Sequence, residues 1–238
     1  MNLSDKLGIS IASYVGQYGV IEKCINSCLD LESGYVGLSI ENKDVCLGNS
    51  SNGYLNLFGK VDSVLFIKNL ISAKGGHWIG QHLSNISLMK IFNSNIKYLL
   101  LINGDCVIGD PIGFYGVLEE FILRDSDILP TAMFKRKAKC FGTMGVIGKI
   151  DSVIKLFKLM KTLIEIDTFV RSGNEQRMEI ACRKLRFNVF DVENSSDLSF
   201  CFPGEGTWAG RMKFSHLHNE WSERKYGSDG WWRNDKSS

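Results

Sequence analysis

The stretch from Tyr98 to Ile108, Tyr-Leu-Leu-Leu-Ile-Asn-Gly-Asp-Cys-Val-Ile, limits the possible folds more than any other part of the chain. Four consecutive aliphatic residues follow a tyrosine and run straight into Asn103-Gly104-Asp105. An apolar run of that length, stopped by small polar residues, predicts a strand buried on both faces, as in a parallel sheet. Open α/β sheets bind ligands outside the carboxyl ends of their strands, and Asp105 falls at such an end. A carboxylate with a buried approach needs compensation, usually from a cation or a polar ligand. The plainer alternative for Asp105 is a turn cap made by its own side chain. The buried run before it favours the functional reading.

The remainder alternates strands with helices. Leu7–Ser13, Tyr35–Ile40, Asp62–Ile67 and Lys97–Ile102 read as strands. Gln17–Leu29 carries Val20, Ile21, Cys24, Ile25 and Cys28 as a helical stripe, and Trp78–Phe92 carries Ile79, Leu83 and Ile86. This order implies βαβ units, hence an α/β fold with a mainly parallel, Rossmann-like central sheet flanked by helices. In the second half, Tyr115–Leu123 reads as a helix and Ile128–Phe134 as a strand. The Gly-rich Cys140–Ile150 reads as a strand with a turn. Asp151–Ile164 and Asn174–Leu185 are amphipathic, and Phe187–Val192 returns as a strand. The last forty or so residues are irregular and hold four of the five tryptophans. They are expected to fold back, loop-rich, over the ligand edge of the sheet.

A chain of 238 residues with 44% apolar residues supports a full core, and no linker, repeat or low-complexity tract divides it. One domain is expected over 1–238. The net charge of +2, with both signs interspersed, argues against a dedicated nucleic-acid-binding protein but not against binding a nucleotide. No apolar run approaches membrane-spanning length, and the N-terminus lacks the layout of a secretory signal. The seven cysteines include no Cys-x-x-Cys pair, so reduced thiols, a cytoplasmic location and no zinc finger are expected.

Three stretches resemble small bacterial glycosyltransferases of the GT-A type, which use nucleotide-diphospho-sugars. They are Gly8-Ile-Ser-Ile-Ala-Ser-Tyr14, the segment from Gly75 through Asp105, and Phe141-Gly-Thr-Met-Gly145 followed by Asn174-Glu-Gln-Arg177. The resemblance covers roughly residues 7–220, mostly by element order. It implies a nucleotide-sugar-binding half over 1–110, an acceptor-side half over 111–220 and a tail over 221–238. Ser13 and Tyr14 would then hold the nucleoside. Asn103-Gly104-Asp105 would stand for the family's Asp-any-Asp metal motif, with Asp105 as the ligand of Mn2+ or Mg2+ and Asn103 as a neutral replacement. His216 and His218, in Ser215-His-Leu-His-Asn219, would complete the metal shell. Glu175 would serve as general base in an inverting reaction. The implied acceptor is a hydroxyl of a glycan or lipid-linked glycan in bacterial cell-surface polysaccharide or lipopolysaccharide synthesis, reached with at most peripheral membrane contact at the inner face.

The chemistry wants these residue types. The transition state for glycosyl transfer is oxocarbenium-like, and negative charge grows on the departing phosphate. A divalent cation stabilises that charge and needs only one or two protein carboxylates, since phosphates and water complete its shell. Each residue also has a plainer role. His216 and His218 suit a surface loop. Ser172-Gly-Asn-Glu175 matches a capping box, in which Glu175 serves the helix end. His77 stands at a helix start beside Gly75 and Gly76, where phosphate binds backbone N–H groups, and is a candidate donor contact; His82 is a weaker one.

Gly142–Lys149 fails the phosphate-loop spacing, and no Gly-x-Gly-x-x-Gly follows the first strand. Two rivals remain. A sugar nucleotidyltransferase should carry Arg and Lys in a Gly-rich loop after the first strand, where Tyr14–Gly19 has neither. A non-catalytic nucleotide-sugar-binding protein is favoured by the neutral Asn103.

Overall fold

The computed structural model describes residues 2–14, 18–41, 57, 59–67, 76–130, 133–135, 139–141, 144–166, 173–190 and 211–217. Its centre is a six-stranded sheet. The strands are β1 (Leu7–Tyr14), β2 (Tyr35–Glu41), β3 (Ser63–Ile67), β4 (Tyr98–Asn103), β6 (Ile128–Pro130) and β9 (Gly145–Lys149), in the order β3-β2-β1-β4-β9-β6. The first four are parallel, and β9 lies antiparallel between β4 and β6. The fold is thus α/β with a mostly parallel central sheet flanked by helices.

Alternation along the strands sorts the two faces. Leu7, Ile9 and Ile11 of β1, with Val36, Leu38 and Ile40 of β2, meet α1 (Tyr18–Leu29) and α3 (Pro111–Leu123). The opposite face carries α2 (Gly76–Phe92), α4 (Ile150–Ile166) and α5 (Asn174–Leu185). Leu99 through Ile102 of β4 are wholly buried and split between the two cores, so the central strand is covered on both sides as expected. Each such side chain contributes about 1.5–3 kcal/mol relative to exposure.

Under α2, β1 and β2 present Gly8, Ser10, Gly37 and Ser39 instead of aliphatic residues. The helix answers with Gln81, His82 and Asn85, all buried. Asn85 Nδ2 donates to Ser10 Oγ at 2.9 Å, to the Ile11 carbonyl at 3.2 Å and to the Gly37 carbonyl at 3.1 Å. Ser39 Oγ lies 2.7 Å from Asn85 Oδ1 and 2.9 Å from the Gln81 carbonyl, so its single hydrogen serves one of them at a time. Gln81 Nε2 donates to the carbonyls of Ser13 and Ser39 at 2.7 and 3.1 Å. This polar seam locks α2 onto the ends of β1 and β2.

Several boundaries differ from expectation. Helix α3 begins at Pro111, a full turn before Tyr115, because Asp110 caps it: Oδ1 accepts from the Gly113 N–H at 2.9 Å. The single strand expected over Ile128–Phe134 breaks after Pro130. Met133–Lys135 forms β7, paired in a hairpin with β8 (Lys139–Phe141). In place of the strand expected over Phe187–Val192 there is one parallel bridge, Val189 to Ile128; residues 191 and 192 lie outside the described set.

Candidate functional site at the carboxyl edge of the sheet

From β1 the chain adds β2 and β3 on one side and then returns to place β4 on the other. The strand order reverses between β1 and β4, and at such a switch point the loops diverge and leave a crevice at the carboxyl ends. Asn103 pairs with Ala12 across this boundary. The Gly104 N–H donates to the Ala12 carbonyl at 2.8 Å, and the Asn103 N–H to the Met144 carbonyl at 3.0 Å. The backbone therefore brings Ser13 and Tyr14 beside Asn103-Gly104-Asp105. Ser13 is fully buried, with its carbonyl held by Gln81. Tyr14 pairs with Glu41 through the backbone, and its side chain lies outside the described set.

Asp105 occupies the turn between β4 and β5 (Cys106–Ile108) and is only 5% exposed. Its carboxylate lies among thiols. Cys106 Sγ contacts Oδ1 at 3.7 Å, and Cys24 Sγ donates to the Asn103 carbonyl at 3.5 Å. Burial, and then the charge of Asp105, push the Cys106 thiol up. A hydrogen bond shared with Cys28 and burial push up Cys24. The thiols of Cys24 and Cys106 therefore stay protonated and make a neutral floor beneath the carboxylate. Cys24, Cys28, Cys106 and Cys182 are all unpaired.

Helix α2 approaches the same point. Trp78 Nε1–H donates to Asn103 Oδ1 at 3.0 Å. Trp78 is 5% exposed and packs edge-on against Phe157 at 5.2 Å and His82 at 4.8 Å between ring centroids. His82 is not a ligand contact: it is wholly buried, 2.7 Å from Ser10 Oγ through Nδ1, and burial pushes its pKa down to about 3. His77 lies in the first turn of α2 as expected, but its side chain, like residue 75, is outside the described set.

The C-terminal region does return to this edge. Strand β10 (Phe214–His216) pairs antiparallel with β5, with residue 216 opposite Cys106. The Leu217 N–H then donates to the Asp105 carbonyl at 2.6 Å. The His216 side chain, all of His218 and the tail over 221–238 fall outside the described set. Buried Met212 and Phe214 anchor the segment, and Arg211 pairs with Glu120 at 2.7 Å. Its fit against α3 depends on Gly113, where an added methyl would stand 1.9 Å from the Arg211 carbonyl oxygen. Gly113→Ala is expected to lower unfolding free energy by about 2 kcal/mol, a typical overpacking penalty, in urea denaturation. An unchanged midpoint would mean that helix and return segment part without strain.

Glu175 belongs to a different element. It lies in the first turn of α5, which packs on α4 and on β8 toward the antiparallel side. The expected capping box is not formed. Gly173 is the N-cap, no side chain caps the helix, and Ser172 lies outside the described set. The helix begins one residue too late for Glu175 to take the third helical position that the box requires. Its Oε2 reaches back to within 2.5 Å of where a methyl on Gly173 would sit. Asp151, in the first turn of α4, is exposed and 3.7 Å from Lys90.

No protein-family model matches the chain, and no curated protein matches it. What the site can do must be read from its own groups. Two of them were not anticipated from the sequence. Trp78 holds Asn103, and Glu41, 6% exposed, ends β2 as a second buried carboxylate at the sheet's carboxyl edge. A glutamate closing an otherwise apolar strand was a readable signal, whereas the partner of Trp78 was not. Among the described residues no three Cys, His, Asp or Glu side chains form a metal-binding group, and no helix is long and apolar enough to cross a membrane.

Proposed function

We propose that the chain is a glycosyltransferase that moves a sugar from a nucleotide-diphosphate donor to a hydroxyl acceptor. One observation carries the reading. A buried carboxylate, Asp105, and an oriented amide, Asn103, end the central strand at the switch point, beneath a returning C-terminal strand. One carboxylate suits a Mg2+ or Mn2+ site completed by the ligand's phosphates and by water, and protonated thiols add no competing charge. Asp105 would hold the cation, joined by His216 or His218. A cation bound there would stabilise the negative charge of the departing nucleoside diphosphate.

The chain's own residues supply the rest. Tyr14, at the end of β1, and His77, in the first turn of α2, would hold the nucleoside, whereas Ser13 is fully buried and would act only through the backbone. Glu175, in the first turn of α5, takes the proton of the acceptor hydroxyl. The acceptor oxygen bonds to the anomeric carbon as the bond from that carbon to the diphosphate breaks. Glu175→Gln is expected to lower turnover about a hundredfold at unchanged donor KM, the lower range for general-base catalysis. A loss of only a few-fold would assign Glu175 to the helix end instead.

The test of the whole reading is a thermal-shift and titration screen of nucleoside diphosphates and their sugar conjugates, with and without Mn2+, beside a donor-hydrolysis assay. Stabilisation by a nucleotide sugar with turnover is the expected result. Binding without turnover across the panel would favour a non-catalytic nucleotide-sugar-binding protein, the reading that the neutral Asn103 supports.

A further inference from the structure

We infer that Trp78 is a positioning residue that locks the Asn103 amide so that the crevice meets its nucleotide with N–H donors rather than with a cation-binding oxygen. An indole N–H can only donate, so the group 3.0 Å from Trp78 Nε1 must be the amide oxygen. The usual ambiguity between the two ends of an asparagine amide is therefore absent. Trp78 cannot swing to release it. It is wedged against Phe157 and His82, and His82 is itself held by Ser10. The backbone of Asn103 is fixed as well, between Ala12 and Met144. Its Nδ2 forms no hydrogen bond among the described residues, and Asn103 is partly exposed.

The consequence concerns recognition and rests on the nucleotide-sugar reading. Two N–H donors beside one carboxylate complement an oxygen-rich, acceptor-bearing ligand. A ribose hydroxyl oxygen and a phosphate oxygen share that chemistry. The donor at residue 103 would repel a cation, so any cation belongs on the Asp105 side. Part of the nucleotide affinity must then persist when metal is chelated.

The experiment is calorimetric titration in EDTA and then in Mn2+, with a panel of nucleoside diphosphates, the matching nucleosides and inorganic pyrophosphate as probes. Asn103→Asp keeps an oxygen for Trp78 and turns the outward donor into a carboxylate. It is expected to lower metal-free nucleoside diphosphate affinity at least about tenfold, the loss of one good hydrogen bond, and to steepen the Mn2+ dependence. Trp78→Phe keeps the aromatic packing but frees the amide. It should lower metal-free affinity about threefold to tenfold, with Mn2+-dependent binding retained. Loss shared with the nucleosides but not with pyrophosphate identifies the ribose as the partner, and loss shared with pyrophosphate identifies the phosphates. Unchanged metal-free affinity in folded Asn103→Asp overturns the assignment while leaving the functional reading intact. If the parent protein binds none of the nucleotides with or without Mn2+, both fall. Thermal unfolding of each variant separates misfolding from lost recognition.

Discussion

Asp105→Asn is expected to lower sugar transfer about a thousandfold, or about 4 kcal/mol of transition-state stabilisation, while leaving the protein folded. The substitution keeps the size of the side chain in a position only 5% exposed. It also keeps the backbone carbonyl that Leu217 engages and an oxygen for the Cys106 thiol. What it removes is the negative charge. Nothing in the neutral thiol floor can replace that charge, and Asn103 is already an amide. Donor affinity should lose its Mn2+ dependence in the same variant, and calorimetry with and without Mn2+ measures this beside the turnover assay. Full activity in folded Asp105→Asn would eliminate the cation site and with it the proposed role of the β4 terminus.

The site was legible where it depended on one stretch of chain, and illegible where it depended on two. The run Leu99–Ile102 into Asn103-Gly104-Asp105 contains its own prediction: four aliphatic residues need cover on both faces, and the carboxylate after them must lie at the edge. Of the C-terminal region expected to cover this edge only residues 211–217 are described, and there β10 pairs with β5. Helix α2 was visible from its apolar residues, but its inward face was not. Gln81 and Asn85 are polar and, taken alone, read as solvent-facing, whereas His82 shares a face with Ile86 and Met89. Only their pairing with Ser10 and Ser39, which lie on other elements, makes burial tolerable. Other boundaries are set by local chemistry alone. Asp110-Pro111 marks the start of α3 by the preference for a capping carboxylate and proline at the first helical position. Pro130 has no N–H for a ladder and ends β6. The capping-box pattern at Ser172–Glu175 misled, because a four-residue match sets no register when Gly173 takes the cap itself.

Asn85→Ala is expected to destabilise the fold by about 4 kcal/mol, from several buried groups losing partners at about 1–3 kcal/mol each. The side chain is wholly buried and donates to Ser10 Oγ and to the carbonyls of Ile11 and Gly37, while its own oxygen faces Ser39 Oγ. Alanine leaves a cavity that no neighbour can fill and strips both hydroxyls of a partner. For a domain stable by about 5–15 kcal/mol this is a large fraction of the whole. Ser39→Ala should cost far less, about 1 kcal/mol, because Asn85 keeps its three donor contacts. The contrast between these two variants in urea denaturation is the measurement; similar small losses would mean that the seam is not coupled. The seam also bears on the site, since Gln81 and His82 lie one helical turn after Trp78 and fix its approach to Asn103. A purely apolar interface would let α2 slide along the sheet at little expense, whereas hydrogen bonds to two strands permit a single register. The polar interior under α2 therefore sets where the indole N–H points, and through it which end of the Asn103 amide faces the crevice.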